Sequence, residues 1–211
     1  MPKLIYFPVQ GRAQAIRFML AAKGVEFEDQ RITGAEWGPM KAAGTYGAGS
    51  QMPIFVQDDG TYFTQSMAIL KMLAFEHGYM PTTAKCHYEV AWMEGVSVDI
   101  IEKPERYALM KDDADDAARQ TCIELLEKFI TKLDEHFADG RAHVGGNQMT
   151  YGDFALLAIV TSHYENAHGK HADIKAACSA KVQSCANVMR VLAPMRELCA
   201  ATIAAIPASS I

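Results

Sequence analysis

Leu4-Ile5-Tyr6-Phe7, then Pro8-Val9-Gln10-Gly11, then Arg12 to Lys23 is the stretch that decides the fold. Its first four residues are apolar and β-prone and read as a short buried strand, and Pro8 to Gly11 reads as a turn. From Arg12 to Lys23 the residues Ala13, Ile16, Met19 and Leu20 share one helical face, and Gly24 stops the helix. Phe27 to Ile32 offers a second strand. The opening is therefore a βαβ unit, whose two strands run parallel.

Beyond an irregular, glycine-rich stretch, Pro53 to Gln57 and Tyr62 to Thr64 flank Asp58-Asp59-Gly60, a hairpin signal. A helix follows from Ser66 to about His77, with Ser66 as its expected N-cap. The order βαβ then ββα is that of a thioredoxin-like domain with a mixed four-stranded sheet. Near residue 80 the chain changes character. Gly78, Pro81 and Thr82-Thr83 punctuate a linker, and everything after it reads as helix. Cys122, Leu125, Leu126, Phe129, Ile130, Leu133 and Phe137 form one apolar stripe ended by Asp139-Gly140. The acidic run Asp112-Asp113-Ala114-Asp115-Asp116 sits where that helix begins and reads as its solvated first turn rather than a metal site. Thr150-Tyr151-Gly152-Asp153 has capping-box spacing, with Met149 and Phe154 placed for a hydrophobic staple. The expected division is residues 1–80 and 81–211.

Composition narrows the function. The 211 residues are 50% apolar and 21% charged, with a formal charge of −5, which suits a globular chain. That charge falls wholly beyond residue 80, and no basic stripe is present, so no nucleic-acid partner is expected. The longest apolar run, Phe154 to Val160, is too short to span a bilayer, so no membrane partner and a cytoplasmic location are expected. Five cysteines, Cys86, Cys122, Cys178, Cys185 and Cys199, form no two-spaced pair and read as small buried apolar groups.

In a thioredoxin-like domain the reactive group follows the first strand. Here that place holds Pro8-Val9-Gln10-Gly11 and no cysteine, which disfavours thiol–disulfide exchange by a protein thiol. It does offer Tyr6 and Arg12, although a lone tyrosine there is commonly a packed aromatic. Pro53, at a strand's first residue, marks either an edge strand or a cis bond. Gln65-Ser66 opens a helix whose free N–H groups favour an anion such as a carboxylate.

Together these residues resemble the cytosolic glutathione transferases, most like the sigma class within the mu, alpha, pi and sigma group. The resemblance runs through Leu4 to Phe7, Gly11-Arg12-Ala13, Ile16-Arg17-Phe18, Gly24 to Asp29, Trp37 with Lys41, Gln51-Met52-Pro53, Gln65 to Leu70, Asp99 and Thr150 to Phe154. It departs from the sigma pattern at Gln14-Ala15 and in the glycine-rich segment Gly44 to Ser50, whose glycines suggest a mobile lid.

The resemblance implies glutathione as co-substrate, no metal, a homodimer, and a small apolar electrophile as second substrate. It implies that Tyr6 donates its hydroxyl to the glutathione sulfur, supported by Arg12. It places Trp37 and Lys41, whose four-residue spacing puts them on one face of a helical turn, on the glycine carboxylate, Gln51, Met52 and Pro53 on the cysteinyl main chain, and Gln65 and Ser66 on the γ-glutamyl carboxylate. Asp99 would reach the γ-glutamyl ammonium across the dimer. Phe7, Gly11, Tyr107 and the tail from Ile203 to Ile206 are the candidates for the second-substrate wall. An isomerase of prostaglandin-like endoperoxides and a non-catalytic binder or lens-type structural member are the alternatives.

Overall fold

A computed structural model describes residues 1–104, 114–166 and 172–207. Strand β1 (Lys3–Tyr6) is followed by a 3₁₀ turn, Gly11–Ala13, and helix α1 (Gln14–Lys23). The turn takes the first residues of the helix expected from Arg12. Gly24 closes α1 in the left-handed conformation, as its position at the end of the apolar pattern requires. Then come β2 (Glu28–Arg31), α2 (Gly34–Ala42), β3 (Ile54–Val56), β4 (Tyr62–Thr64) and α3 (Ser66–His77). The sheet order is β2-β1-β3-β4, with β1 parallel to β2 and antiparallel to β3, and β3 antiparallel to β4. This is the expected thioredoxin-like arrangement.

Two details correct the sequence expectations. The stretch after β2 is not irregular throughout: Thr33 and Glu36 form a capping box that starts α2, which carries Pro39 within it. The N-cap of α3 is Gln65, at φ +70°, and Ser66 is the first helical residue. Pro53 follows a cis bond, and β3 lies inside the sheet, so the edge-strand alternative falls.

The second domain is helical in its described residues: α4 (Ala84–Pro104), α5 (Asp116–His136), α6 (Tyr151–Ile159), which continues into a π turn, Val160–Tyr164, then α7 (Ala172–Ser184), α8 (Ala186–Leu198) and α9 (Ala200–Ala204). Asp115 caps α5, its carboxylate accepting from Ala118 N–H at 2.8 Å, so part of the acidic run is a helix start; Asp112 and Asp113 lie outside the described residues. Every residue of α6 is buried, and α6 packs on α1, α4 and α8. It is the post joining the helical domain to the sheet domain through α1. Among the described residues no helix is long and apolar enough to cross a membrane.

The N-terminus of α6 is buried, so its free N–H groups need partners. Tyr151 N–H donates to the Tyr79 carbonyl at 3.0 Å and Asp153 N–H to the Thr150 carbonyl at 3.1 Å, while the Asp153 carboxylate accepts from the N–H of the cap residue Thr150 at 2.8 Å and of Val144, in the preceding loop, at 2.9 Å. His143 Nδ1 lies 3.4 Å from the same carboxylate. That neighbour raises the His143 pKa, with burial opposing it. A raised folded-state value means the pair stabilises the fold fully below about pH 6.5 and loses that contribution as pH rises through the folded-state pKa. Thermal melts from about pH 6 to 8 should therefore slope downward, and the slope should be shallower in His143→Gln. An unchanged slope in that variant would assign the dependence to other groups.

Candidate active site

The register brings the distant motifs to one end of the sheet. Ile5 pairs with Ile54, and Ile54 with Thr64, so the last residue of β1, the entry to β3 and the exit of β4 meet at the same edge. That edge holds Tyr6, Met52-Pro53 and Gln65-Ser66. Because β2 runs parallel to β1, the chain entering α2 leaves from this edge too.

Tyr6 is 8% exposed, and its hydroxyl accepts a hydrogen bond from Arg12 N–H at 3.2 Å. The contact depends on Gly11. That residue sits at φ +42°, and a Cβ there would lie 2.7 Å from the Tyr6 hydroxyl oxygen. Only glycine takes the conformation readily and leaves the space. The Phe7 ring packs 5.7 Å from the Tyr6 ring, centroid to centroid. The Arg12 side chain is exposed.

Trp37 is buried on α2 and stacks on Tyr46, their centroids 6.5 Å apart. Tyr46 in turn meets Tyr62 edge-on at 5.5 Å, and the Ser50 hydroxyl donates to the Tyr46 carbonyl. The segment from Gly44 to Ser50 is thus held down by its one aromatic, which the reading from glycines alone overlooked. Lys41, one helical turn beyond Trp37, is exposed, as are Gln51 and Gln65; Met52 and Pro53 are buried.

Asp99 stands apart from this cluster. It lines a groove of about 730 Å³ between α4 and α5, with Glu124, Lys128, Lys132 and Glu135. A small cleft of about 50 Å³ adjoins the tyrosine edge, between Gly11, Arg12 and Met67 on one side and Val98, Ile159 and His163 on the other. Of the expected second-substrate residues, Gly11 lies in it, whereas Phe7 packs on Tyr6 instead. Ile203 and Ile206 line a different cleft, of about 240 Å³, with Gln10, Thr161 and Asn166. Tyr107 lies outside the described residues.

All five cysteines are buried and unbridged. Burial pushes Cys122 and Cys199 up to about 11 and Cys178 to about 12, and raises Cys86 and Cys185. These thiols stay protonated at neutral pH, so none is a ready nucleophile. A thiol chemistry at the tyrosine edge needs a thiol brought in from outside.

Four residues around the tyrosine edge have no place in the sequence-based site: Val98, Ile159, His163 and Arg17. Val98, Ile159 and His163 reach the cleft only through the packing of α4 and α6 on the first domain, for which no local pattern exists. Arg17 had a visible signal, a cation within the apolar pattern of α1. It is buried beside Tyr6 and donates to Asp29 at 3.0 Å.

A thioredoxin-like sheet, joined to a domain that is helical in its described residues, with Tyr6 and Arg12 where a thiol-exchange enzyme carries its cysteine, sets the fold class. Comparison gives the family. A model described as "Glutathione S-transferase, N-terminal domain" matches residues 2–74. The class-mu 28 kDa glutathione S-transferase isozyme of Schistosoma japonicum is 32% identical over 162 residues, 75% of this chain and 75% of that protein. S-crystallin 3 of Enteroctopus dofleini is 29% identical over 168 residues, 71% of this chain and 75% of that protein. The solved structure of prostaglandin synthase D of Nilaparvata lugens matches with a TM-score of 0.76 at 22% identity, covering 98% of this chain and 99% of that one, a likeness of fold. The chain belongs to the glutathione S-transferase family, whose members use glutathione as co-substrate.

Proposed function

We propose that this protein is a homodimeric glutathione transferase that ionises glutathione at Tyr6 and transfers the thiolate to an electrophilic carbon of an apolar substrate. A carbon–sulfur bond forms, and a leaving group such as halide departs with the bonding pair, or the thiolate adds to an activated double bond. The observation that carries this reading is the Tyr6 hydroxyl, anchored by Arg12 N–H at the edge that also holds Met52-Pro53 and Gln65-Ser66.

With its oxygen accepting from the backbone, the hydroxyl keeps a proton to donate to a sulfur, which favours thiolate over thiol. Arg12 adds positive charge near the sulfur. Residues 1–80 form the glutathione-binding part. There Met52 pairs with the cysteinyl unit through its main chain, flanked by Gln51 and Pro53, and the start of α3 at Gln65 and Ser66 takes the γ-glutamyl carboxylate. Lys41, with Trp37, takes the glycine carboxylate. Residues 81–211 supply the wall of the second-substrate cleft and the dimer contacts. Phe75 on α3 is 80% exposed and Tyr88 on α4 is 62% exposed, and an apolar face of this kind suits burial against a second copy. Asp99, on the same helix as Tyr88, would then serve the partner's glutathione. The assignment to the cytoplasm belongs to this reading.

Isomerisation of an endoperoxide is the second reading, favoured by the fold shared with a protein titled prostaglandin synthase D. The likeness to an S-crystallin favours the third, a binder without turnover. One set of measurements separates them: glutathione titration by calorimetry, conjugation of an aromatic halide, and glutathione-dependent conversion of an endoperoxide. Binding with halide conjugation is expected. Binding with only endoperoxide turnover would replace the transferase by the isomerase, and binding with neither by the structural member. Gly11→Ala should lower conjugation about tenfold with a smaller effect on glutathione affinity, because the new methyl displaces the Tyr6 hydroxyl and not the peptide-binding edge. Equal losses in turnover and affinity would contradict that.

A further inference from the structure

Arg17 is 3% exposed, buried between α1 and the sheet, and its guanidinium is spread over several partners. Nε donates to Asp29 at 3.0 Å. Nη1 donates to the carbonyls of Val9 at 3.0 Å and Gln10 at 3.2 Å, and to Gln14 Oε1 at 3.3 Å. Asp29 also accepts from Arg31 at 2.8 Å, so one carboxylate faces two guanidiniums and the trio keeps a net positive charge. Nη2 is buried without a hydrogen-bond partner among the described residues. The Arg17 Cζ stands 5.8 Å from the centre of the Tyr6 ring, within cation–π range.

These contacts converge on the turn that serves the tyrosine. Val9 and Gln10 lead directly into Arg12, whose N–H donates to the Tyr6 hydroxyl, through Gly11, where a Cβ would collide with that hydroxyl. We propose that Arg17 is a positioning residue for Tyr6: it ties down the turn that presents Arg12 N–H, and its charge beside the ring makes the phenol a stronger hydrogen-bond donor. A buried ion pair that only held α1 to β2 would need neither the two carbonyl contacts nor the place over the ring. The consequence for glutathione rests on the transferase reading; the effect on the phenol does not.

The test uses the full chain with Arg17→Met and Arg17→Lys, each alone and combined with Tyr6→Phe. Ultraviolet difference titration against Tyr6→Phe reads the phenol of Tyr6 without ligand, and thiolate absorbance reads the pKa of bound glutathione. In Arg17→Met both should rise by about one unit, a roughly tenfold drop in the thiolate-to-thiol ratio at any given pH. With Phe at position 6, Arg17→Met should leave the bound thiol unchanged. Arg17→Lys keeps a cation but no fork, should fall between the two, and decides the question if Arg17→Met does not fold. A phenol within about 0.3 units of wild type in a folded variant would overturn the proposal. So would a thiol shift from Arg17→Met that persists in the Tyr6→Phe background. If Tyr6→Phe alone leaves the bound thiol unmoved, the transferase mechanism fails, while the phenol titration still decides the role of Arg17.

Discussion

Replacing Tyr6 with Phe should lower glutathione conjugation near pH 6.5 by about tenfold to a hundredfold. A hydrogen bond to a charged partner contributes about 1.5–3 kcal/mol, and each 1.4 kcal/mol is a factor of ten. A free thiol with a pKa of about 8.5 is almost wholly protonated at that pH, so the lost donor appears mainly as lost thiolate. The signature is therefore in the pH profile. Wild-type activity should level off above a depressed thiol pKa, whereas the variant should keep rising toward about pH 8.5, with the gap between them closing as hydroxide does the ionising. Glutathione affinity should change little, because the expected contacts at Met52, Gln65 and Lys41 do not involve the phenol. Folding should lose about 1 kcal/mol at most, the worth of the Arg12 N–H bond to the hydroxyl. A variant with undiminished turnover at low pH would remove Tyr6 from the mechanism.

How much of this was legible in the sequence depended on how local each signal was. The strand–turn–helix from Leu4 to Lys23 could be read because period and punctuation both lie within a few residues. The cis bond at Pro53 was one of two alternatives, and the sheet order chose between them. Of helix α2 the sequence shows one turn, in the spacing of Trp37 and Lys41, but not its extent or its Thr33–Glu36 capping box, because Gly34, Gly38 and Pro39 weaken the apolar pattern that would announce a helix. Ser66 looked like the cap of α3 by residue type, yet Gln65 holds that position at a positive φ. Residue preference could not foresee it, because the edge of the sheet sets the backbone there.

The tertiary features had no local signature at all. The cleft beside Gly11 depends on α6 being buried on all sides, so that Ile159 and His163 come forward against the first domain. The tail was expected at the same cleft, but α9 carries Ile203 to the side of Gln10 instead. Both domains bury a charged residue where the backbone has to be held. Arg17 satisfies carbonyls beside the tyrosine, and Asp153 satisfies the N–H groups of Thr150, which caps α6, and of Val144 in the loop before it. In each case the sequence displayed a charge inside an apolar pattern. Of the two, only Asp153 came with a spacing that stated its purpose.

Asp153→Ala should be the most destabilising of these substitutions, by about 3–5 kcal/mol. The carboxylate is fully buried, and its two oxygens serve Thr150 N–H, the Thr150 hydroxyl and Val144 N–H, with His143 alongside. Alanine would leave two buried N–H groups without partners, at about 1–3 kcal/mol each, and would remove the carboxylate half of the capping box from the helix that joins the domains. For a chain of this size each kcal/mol shifts the midpoint by about 2–4 °C, so Tm should fall by roughly 6–20 °C. Asp153→Asn is the informative companion. Its amide oxygen still accepts from Val144, but its NH2 group faces the Thr150 donor, so about half of the loss should remain. Either change should also flatten the pH dependence contributed by His143, since the carboxylate that raises its pKa is gone. A loss below about 1 kcal/mol in Asp153→Ala would mean that packing of α6 against α1, α4 and α8 holds the post without the capping-box carboxylate.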